Sequence, residues 1–227
     1  LAHVPDYLSL EEAATVPLTA LTAMQSFELM DAKPGQTVFI SGGTGSLGAM
    51  AIPLAKSLGL TVTTNGNGEN EERVRALGAD IFIDYKKQSY ADVLSEVDLV
   101  LDTLGDRELP TEFKILKEGG RLVSLRGMPN GRFARRMGLP WYKRFLLSLA
   151  GRKYDVMAAR KKQTYDFIFV HEDGAQLESI ASLFPAERPL TASIDATFTL
   201  DQINEALAKV RAGGSQGKTI VRIGDFQ

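Results

Sequence analysis

The stretch TVFISGGTGSLGAMAIPLAKSLG, residues 37–59, decides the fold. Four apolar or β-branched residues lead into four glycines within positions 42–48, and a run of helix formers follows. Gly43-Thr44-Gly45-Ser46-Leu47-Gly48 has the spacing G-x-G-x-x-G between a strand pattern and a helix pattern. The first glycine of such a turn is expected to take a positive φ. The second has no Cβ, so an anion can approach the backbone, and the third lets helix and strand pack closely. Unpaired N–H groups at the helix start would face that anion, aided by the helix dipole. The pattern predicts a dinucleotide-binding turn. Pro53 lies inside the following helix, where its ring predicts a local kink.

Outward from this turn, strand and helix patterns alternate. Strands are expected at 37–41, 61–65, 81–85, 99–102 and 121–125, and helices at 46–58, 69–77, 90–96 and 109–116. Short apolar strands between helices predict an α/β, doubly wound (Rossmann), mostly parallel sheet of six strands, covered on both faces. Ser9 and Glu12 form a capping box ahead of two short helices, expected to be split at Pro17. YDFIFV (165–170) reads as a further strand, residues 199–214 as a helix capped by Thr199 and Gln202, and KTIVRI (218–223) as a final strand. The expected organisation is lead-in helices over 1–35, a dinucleotide-binding domain over 36–195, and a C-terminal return over 196–227.

The 227 residues suffice for a sizeable core. A hydrophobic fraction of 44% and a net charge near −2 are ordinary for a water-soluble protein and predict no nucleic-acid partner. No run is long and apolar enough for a membrane span, and there is no signal-peptide pattern. Cysteine is absent, which removes disulfides and thiol nucleophiles and fits a reducing, cytoplasmic setting. Without Cys, and with only His3 and His171, no zinc site is expected. Leu1 is not an initiator methionine, so the chain is expected to begin partway through a longer one.

An NAD site usually has Asp or Glu at the end of the second strand, about 20 residues past the glycines, to hold the ribose 2′-hydroxyl. Here that end reads Thr64-Asn65-Gly66-Asn67-Gly68, with no acid before Glu69. Small neutral groups tolerate a 2′-phosphate, so the cofactor expected is NADPH.

The glycine stretch, with RALGADIFIDY (75–85), DLVLDTLG (98–105), GGRLVSL (119–125), GSQGKTIVRI (214–223) and LSLEEAATVPLTALTAMQ (8–25), resembles zinc-independent quinone oxidoreductase-like members of the medium-chain dehydrogenase/reductase superfamily. The resemblance spans nearly the whole chain. It implies that Thr44, Gly45, Ser46 and Leu47 line the pyrophosphate, that Asn65 and Asn67 stand near the 2′-phosphate, and that Tyr85 closes on it. The family often has a lysine shortly after; this chain has Asn70, and Arg73 could substitute. The resemblance also implies that Leu104 and Leu125 lie near the cofactor, that Phe167, Phe169 and Thr22 lie toward the nicotinamide, and that Gln216, Gly217 and Lys218 form the returning loop. Core packing is the competing reading for Leu125, Phe167 and Phe169. Family members begin with a GroES-like β-rich substrate domain, absent from this sequence, and the flanking segments would pack on it. The strand over 218–223 joins that domain in the family, so here it is expected to be an unpaired edge, disordered or paired with another chain. Short-chain dehydrogenases share a glycine-rich start but need a Tyr with a Lys four residues later, and none of the six tyrosines has one.

Residues 132–162 hold ten Lys or Arg against one acid, Asp155, about +9, leaving about −11 on the remainder. Phe133, Trp141, Tyr142, Phe145 and Tyr154 are interleaved with them. The basic helical insertion at 131–162 has three readings: a lid beside the active site with a solvated basic face, an amphipathic helix touching an anionic membrane surface, or a nucleic-acid contact. The expected function is an NADPH-dependent reductase transferring hydride to a quinone or an enone. A non-catalytic NADPH-binding, redox-sensing module acting through a partner is the alternative. No catalytic residue is named, and a homodimer is left open.

Overall fold

The computed structural model describes residues 1–187, 189–190, 192–215 and 217–224. Six strands form one parallel sheet: β1 (Thr37–Ile40), β2 (Thr61–Gly66), β3 (Ile81–Asp84), β4 (Val97–Asp102), β5 (Leu116–Ser124) and β6 (Thr164–Phe167). Their order is β3-β2-β1-β4-β5-β6, with every pair parallel. The chain thus starts in the middle, winds one way, returns and winds the other. The reversal lies between β1 and β4, where ligands bind in such sheets.

The two sheet faces carry separate cores. Val38, Ile40, Leu99 and Leu101 point to one, where they meet α1 (Leu10–Leu29) and α2 (Ser46–Ser57), with Ile180 of the later helix α9 at its margin. Phe39, Val100, Leu122 and Tyr165 point to the other. There they meet Phe113 of α5 (Leu109–Ile115) and Tyr154 of α8 (Arg152–Ala159). Alternate residues of fully buried strands feed opposite cores, which is why these strands read as continuous apolar runs. The shorter helices α3 (Glu71–Ala76) and α4 (Tyr90–Val93) follow β2 and β3. Between β5 and β6 stand α6 (Gly131–Arg136) and α7 (Trp141–Ala150) besides α8, and after β6 come α9 (Gly174–Ser182) and α10 (Ile203–Ala212).

The structure differs from the sequence expectations at three places. Pro17 does not split α1, which runs as one helix of 20 residues. Threonine hydroxyls bond to carbonyls around the proline: Thr15 to Glu12, and Thr19 to Thr15 and Val16. Burial of residues 19–27 against α2 and the sheet outweighs the local cost of the proline. The strand over 218–223 is not an unpaired edge. Instead β8 (Lys218–Arg222) pairs in parallel with β7 (Ile194–Thr199), a strand the sequence pattern does not show. The mixed sequence IDATFT is only half-buried or exposed, so it carries no apolar run to read. Third, β5 begins at Leu116, five residues ahead of the expected 121–125, because Leu116 already pairs with Val97 of β4.

The deepest polar feature links the strand ends. Asp102 at the end of β4 is fully buried and accepts N–H bonds from Leu104 and Gly105, both at 2.8 Å, and an O–H bond from Ser124 of β5 at 2.5 Å. Thr103 bonds Ser41 at both its N–H and its hydroxyl, at 2.9 and 2.7 Å. Close by, Glu112 of α5 is fully buried, and neither carboxyl oxygen has a hydrogen-bond partner. Burial, reinforced by the Asp102 charge, raises the Glu112 carboxyl well above the ordinary carboxylate range, so it is held as the neutral acid. A group raised in the folded state leaves stability intact below its ordinary value and loses it as pH climbs through the raised one. Glu112→Gln mimics the neutral acid. It is expected to match the native protein at pH values near the ordinary carboxylate range and to melt higher in alkaline buffer, by a few degrees if about 1 kcal/mol is recovered. Paired thermal melts at acidic and alkaline pH measure this; equal melting of the two proteins across the range would contradict it.

Candidate functional site

The glycine turn sits at the C-terminal ends of β1 and β2, and each glycine has a different physical reason. Gly42, rather than the expected Gly43, takes the positive φ, at 67°. Its N–H donates to the Asn65 side-chain oxygen at 2.8 Å. Gly43 is forced by crowding: a Cβ there would stand 2.0 Å from the Thr64 hydroxyl, which accepts the Gly43 N–H at 3.0 Å and donates to the Ile40 carbonyl at 2.6 Å. A Cβ on Gly48 would stand 2.2 Å from the Gly43 carbonyl, so helix and turn touch backbone to backbone. Gly45, the N-cap of α2, has only the Gly42 carbonyl within reach, at 3.5 Å. Its bare Cα leaves space for a ligand beside the helix start, with Ser46 and Leu47 opening the first turn.

Arg73 reaches from α3 to donate to the Thr44 carbonyl at 2.6 Å. Its Nε is buried without a partner, and burial lowers its pKa from the ordinary guanidinium value. Arg73 lines a groove of about 380 Å³ together with Ala49, Ser193 and the acidic Asp195. Lys218, at the start of β8, shares a further groove with Thr19, Ser46 and Ala49, and burial lowers its ammonium pKa. Two partly desolvated cations therefore flank the start of α2. An anionic pyrophosphate fits the start of α2, where the bare Cα of Gly45 leaves space beside the positive helix end.

The remaining expected residues divide. Asn65 is buried, and its oxygen is engaged in supporting the loop. Asn67 caps the short turn Gly68–Asn70 and donates to the Glu69 carboxylate at 3.0 Å. Tyr85 is 58% exposed, and its N–H donates to the Gly66 carbonyl, which puts it beside the end of β2 together with Lys86 and Lys87. Leu104 is exposed after β4, whereas Leu125 packs against the main core. Phe167 makes an edge-on contact with Phe133 of α6, and Phe169 is 68% exposed. Thr22 is buried in α1, and its hydroxyl donates to the Leu18 carbonyl at 2.6 Å. A Cβ on Gly217 would stand 2.3 Å from the Ser193 carbonyl, so this glycine brings β7 and β8 together. Gln216 lies outside the described residues. Thr64, Asp102 and Ser124 escaped the sequence reading because their burial and their partners from distant segments carry no local signal.

A family model described as zinc-binding dehydrogenase matches residues 77–221. The chain belongs to this family. Its fold is that of the medium-chain dehydrogenase/reductase superfamily. The quinone oxidoreductase from Coxiella burnetii superposes with a TM-score of 0.79 at 25% identity, over 97% of this chain and 63% of that one. The quinone oxidoreductase from Thermus thermophilus, whose structure was also determined with NADPH, superposes at 0.72 with 24% identity, over 97% and 68%. Among curated relatives, the mitochondrial NAD(P)H oxidoreductase RTN4IP1 of Danio rerio is 30% identical over the whole chain and 60% of its own length. The chloroplastic NADPH-dependent alkenal/one oxidoreductase of Arabidopsis thaliana is 33% identical over 56% of this chain and 33% of its own length. The chain spans less than two thirds of either curated relative. Despite the family's description, no group of three or more His, Cys, Asp or Glu among the described residues is placed to hold a metal ion.

The glycine geometry separates folding from binding in this family member. Gly45→Val is expected to fold, because its Cβ meets nothing closer than 3.5 Å, yet to lose nicotinamide-cofactor binding by filling the open space. Gly48→Ala is expected to lower stability by about 1–3 kcal/mol through the clash with Gly43. Thermal unfolding with calorimetric titration of each variant checks the pair; normal cofactor binding by folded Gly45→Val would remove the turn from the site.

Proposed function

We propose that this chain is the cofactor-binding part of an NADPH-dependent reductase acting on quinones or activated alkenes. The observation that carries the reading is the open Cα of Gly45 at the start of α2, flanked by the buried, partnerless Nε of Arg73. The names of relatives support the reaction class: besides the alkenal/one oxidoreductase, a 2-methylene-furan-3-one reductase of Solanum lycopersicum is 36% identical over 56% of this chain. The bound cofactor would supply a hydride to the electrophilic carbon of the substrate. The chain's own contribution is orientation. The turn and α2 hold the pyrophosphate end, Asp102 and Ser124 lock the loops after β4 and β5, and Phe167 and Phe169 stand at the end of β6. Orientation of this kind can supply on the order of 7–11 kcal/mol of barrier reduction.

Choice of NADPH rests on the absence of an acid from Asn65 to Asn67 and on Tyr85 with Lys86 beside the end of β2, where a 2′-phosphate would meet a cation; Lys87 is paired with Asp84. Glu69 is a negative group at the same edge and opposes it. NADPH is expected to bind 10- to 100-fold more tightly than NADH, roughly 1.4–2.8 kcal/mol. Calorimetric titration of both cofactors decides this, and equal or tighter NADH binding would sink it. Stopped-flow oxidation of NADPH by the full-length protein across a panel of quinones and enones tests the reaction; tight binding with no turnover of any of them by the full-length protein would favour the non-catalytic module.

We also propose that the reductase works without zinc, a reading that follows from the resemblance of this chain to zinc-independent quinone oxidoreductase-like members of the superfamily. Chelators are expected to leave NADPH oxidation unchanged, and elemental analysis to find no stoichiometric zinc. Activity lost to a chelator and restored by zinc would refute this.

A further inference from the structure

We propose that α7 is a docking face for an anionic lipid surface. The helix reads WYKRFLLSLA, and none of its ten residues is buried. Trp141, Phe145 and Leu149 follow one another at four-residue spacing, with Tyr142 and Leu146 beside them, so all five lie on one face. Trp141 is 79% exposed, Phe145 59% and Leu146 61%, with Leu149 and Tyr142 about half exposed. The opposite face meets the protein. Leu147, opposite the arc, is half-buried, as is Ser148 at the edge of the arc beside Trp141, and the Ser148 hydroxyl lies 2.3 Å from where a Cβ on Gly131 would be, at the start of α6. A solvent-exposed helix normally turns its apolar stripe inward. Here the stripe points out.

The charges around it narrow the occupant. Lys143 and Arg144 lie on α7 outside the apolar arc, and Arg135, Arg152 and Arg160 are exposed on the adjoining segments. Among the described residues, none of these five cations pairs with a carboxylate. Two copies meeting through this face would bring two clusters of about +9 together, which opposes self-association. A nucleic acid would need the cations at the centre of the contact, and the centre is apolar. An anionic bilayer matches both parts: the acyl boundary takes the apolar arc, headgroups take the flanking cations, and Trp and Tyr suit the level between them. No helix of the described residues is long and apolar enough to cross a membrane, so the contact is with the surface.

Trp141 is the only tryptophan in the chain, so its emission reports this face alone. Vesicles of equal parts phosphatidylcholine and phosphatidylglycerol are expected to shift the emission to the blue and to carry the protein upward in flotation. Pure phosphatidylcholine vesicles should do neither, and high salt should weaken the effect. Phe145→Glu with Leu149→Glu changes two exposed positions, so the fold and cofactor affinity should survive while vesicle binding falls at least about tenfold. The proposal is overturned by no shift with anionic vesicles, or by full binding of the double variant. It is equally overturned by a blue shift that grows with protein concentration or with a single-stranded oligonucleotide while vesicles have no effect. Protection of Trp141 from iodide quenching in lipid-free protein would also overturn it, because the face would then already be covered by protein.

Discussion

The contact between Gly48 and the Gly43 carbonyl sets the geometry on which the binding end of the molecule depends. With no side chain at Gly48, α2 starts directly on the turn that leaves β1. On its other side the turn is held by Thr64, whose hydroxyl occupies the space a side chain on Gly43 would need. The two contacts fix the turn between helix and neighbouring strand. The first N–H groups of α2 then point past the bare Cα of Gly45. The void is therefore a product of close packing around it, and the site inherits its rigidity from the sheet.

A second constraint works one strand further along. Asp102 accepts two backbone N–H groups and the Ser124 hydroxyl, while Thr103 bonds back to Ser41. Together they tie the ends of β1, β4 and β5 at the point where the sheet reverses its winding. A charged group fully buried in this way is tolerated because its acceptor capacity is filled. Next door, burial of Glu112, reinforced by Asp102, raises its carboxyl well above the ordinary range.

The fold was largely legible. β1, β3 and β4 are short, largely apolar runs, and most element boundaries fall within a few positions of the expected ones, β5 excepted. The capping boxes at Ser9 and Thr199 are both present. The failures share one cause. Pro17 signals a break locally, but α1 is packed over most of its length and the packing wins. β7 has no apolar run, because its pairing with β8 rests on backbone bonds rather than on burial. Neither fact is encoded within a window of neighbouring residues.

The same division holds at the site. The spacing of Gly43, Gly45 and Gly48 by itself determined a tight strand-to-helix turn, since Gly43 and Gly48 leave no room for a side chain. Absence of an acid before Glu69 was equally plain in the sequence. Which glycine takes the left-handed conformation was decided by the tertiary structure, because the Asn65 side chain captures the N–H of Gly42. The role of Asn65 was decided the same way, as was the reach of Arg73 to the Thr44 carbonyl across 29 residues of sequence. The orientation of α7 is the clearest case. Periodicity shows that its apolar residues share a face, but the packing of α7 on α6 and α8 leaves that face toward solvent. A sequence lists what a helix can bury; what it does bury depends on which neighbours the rest of the chain sets against it.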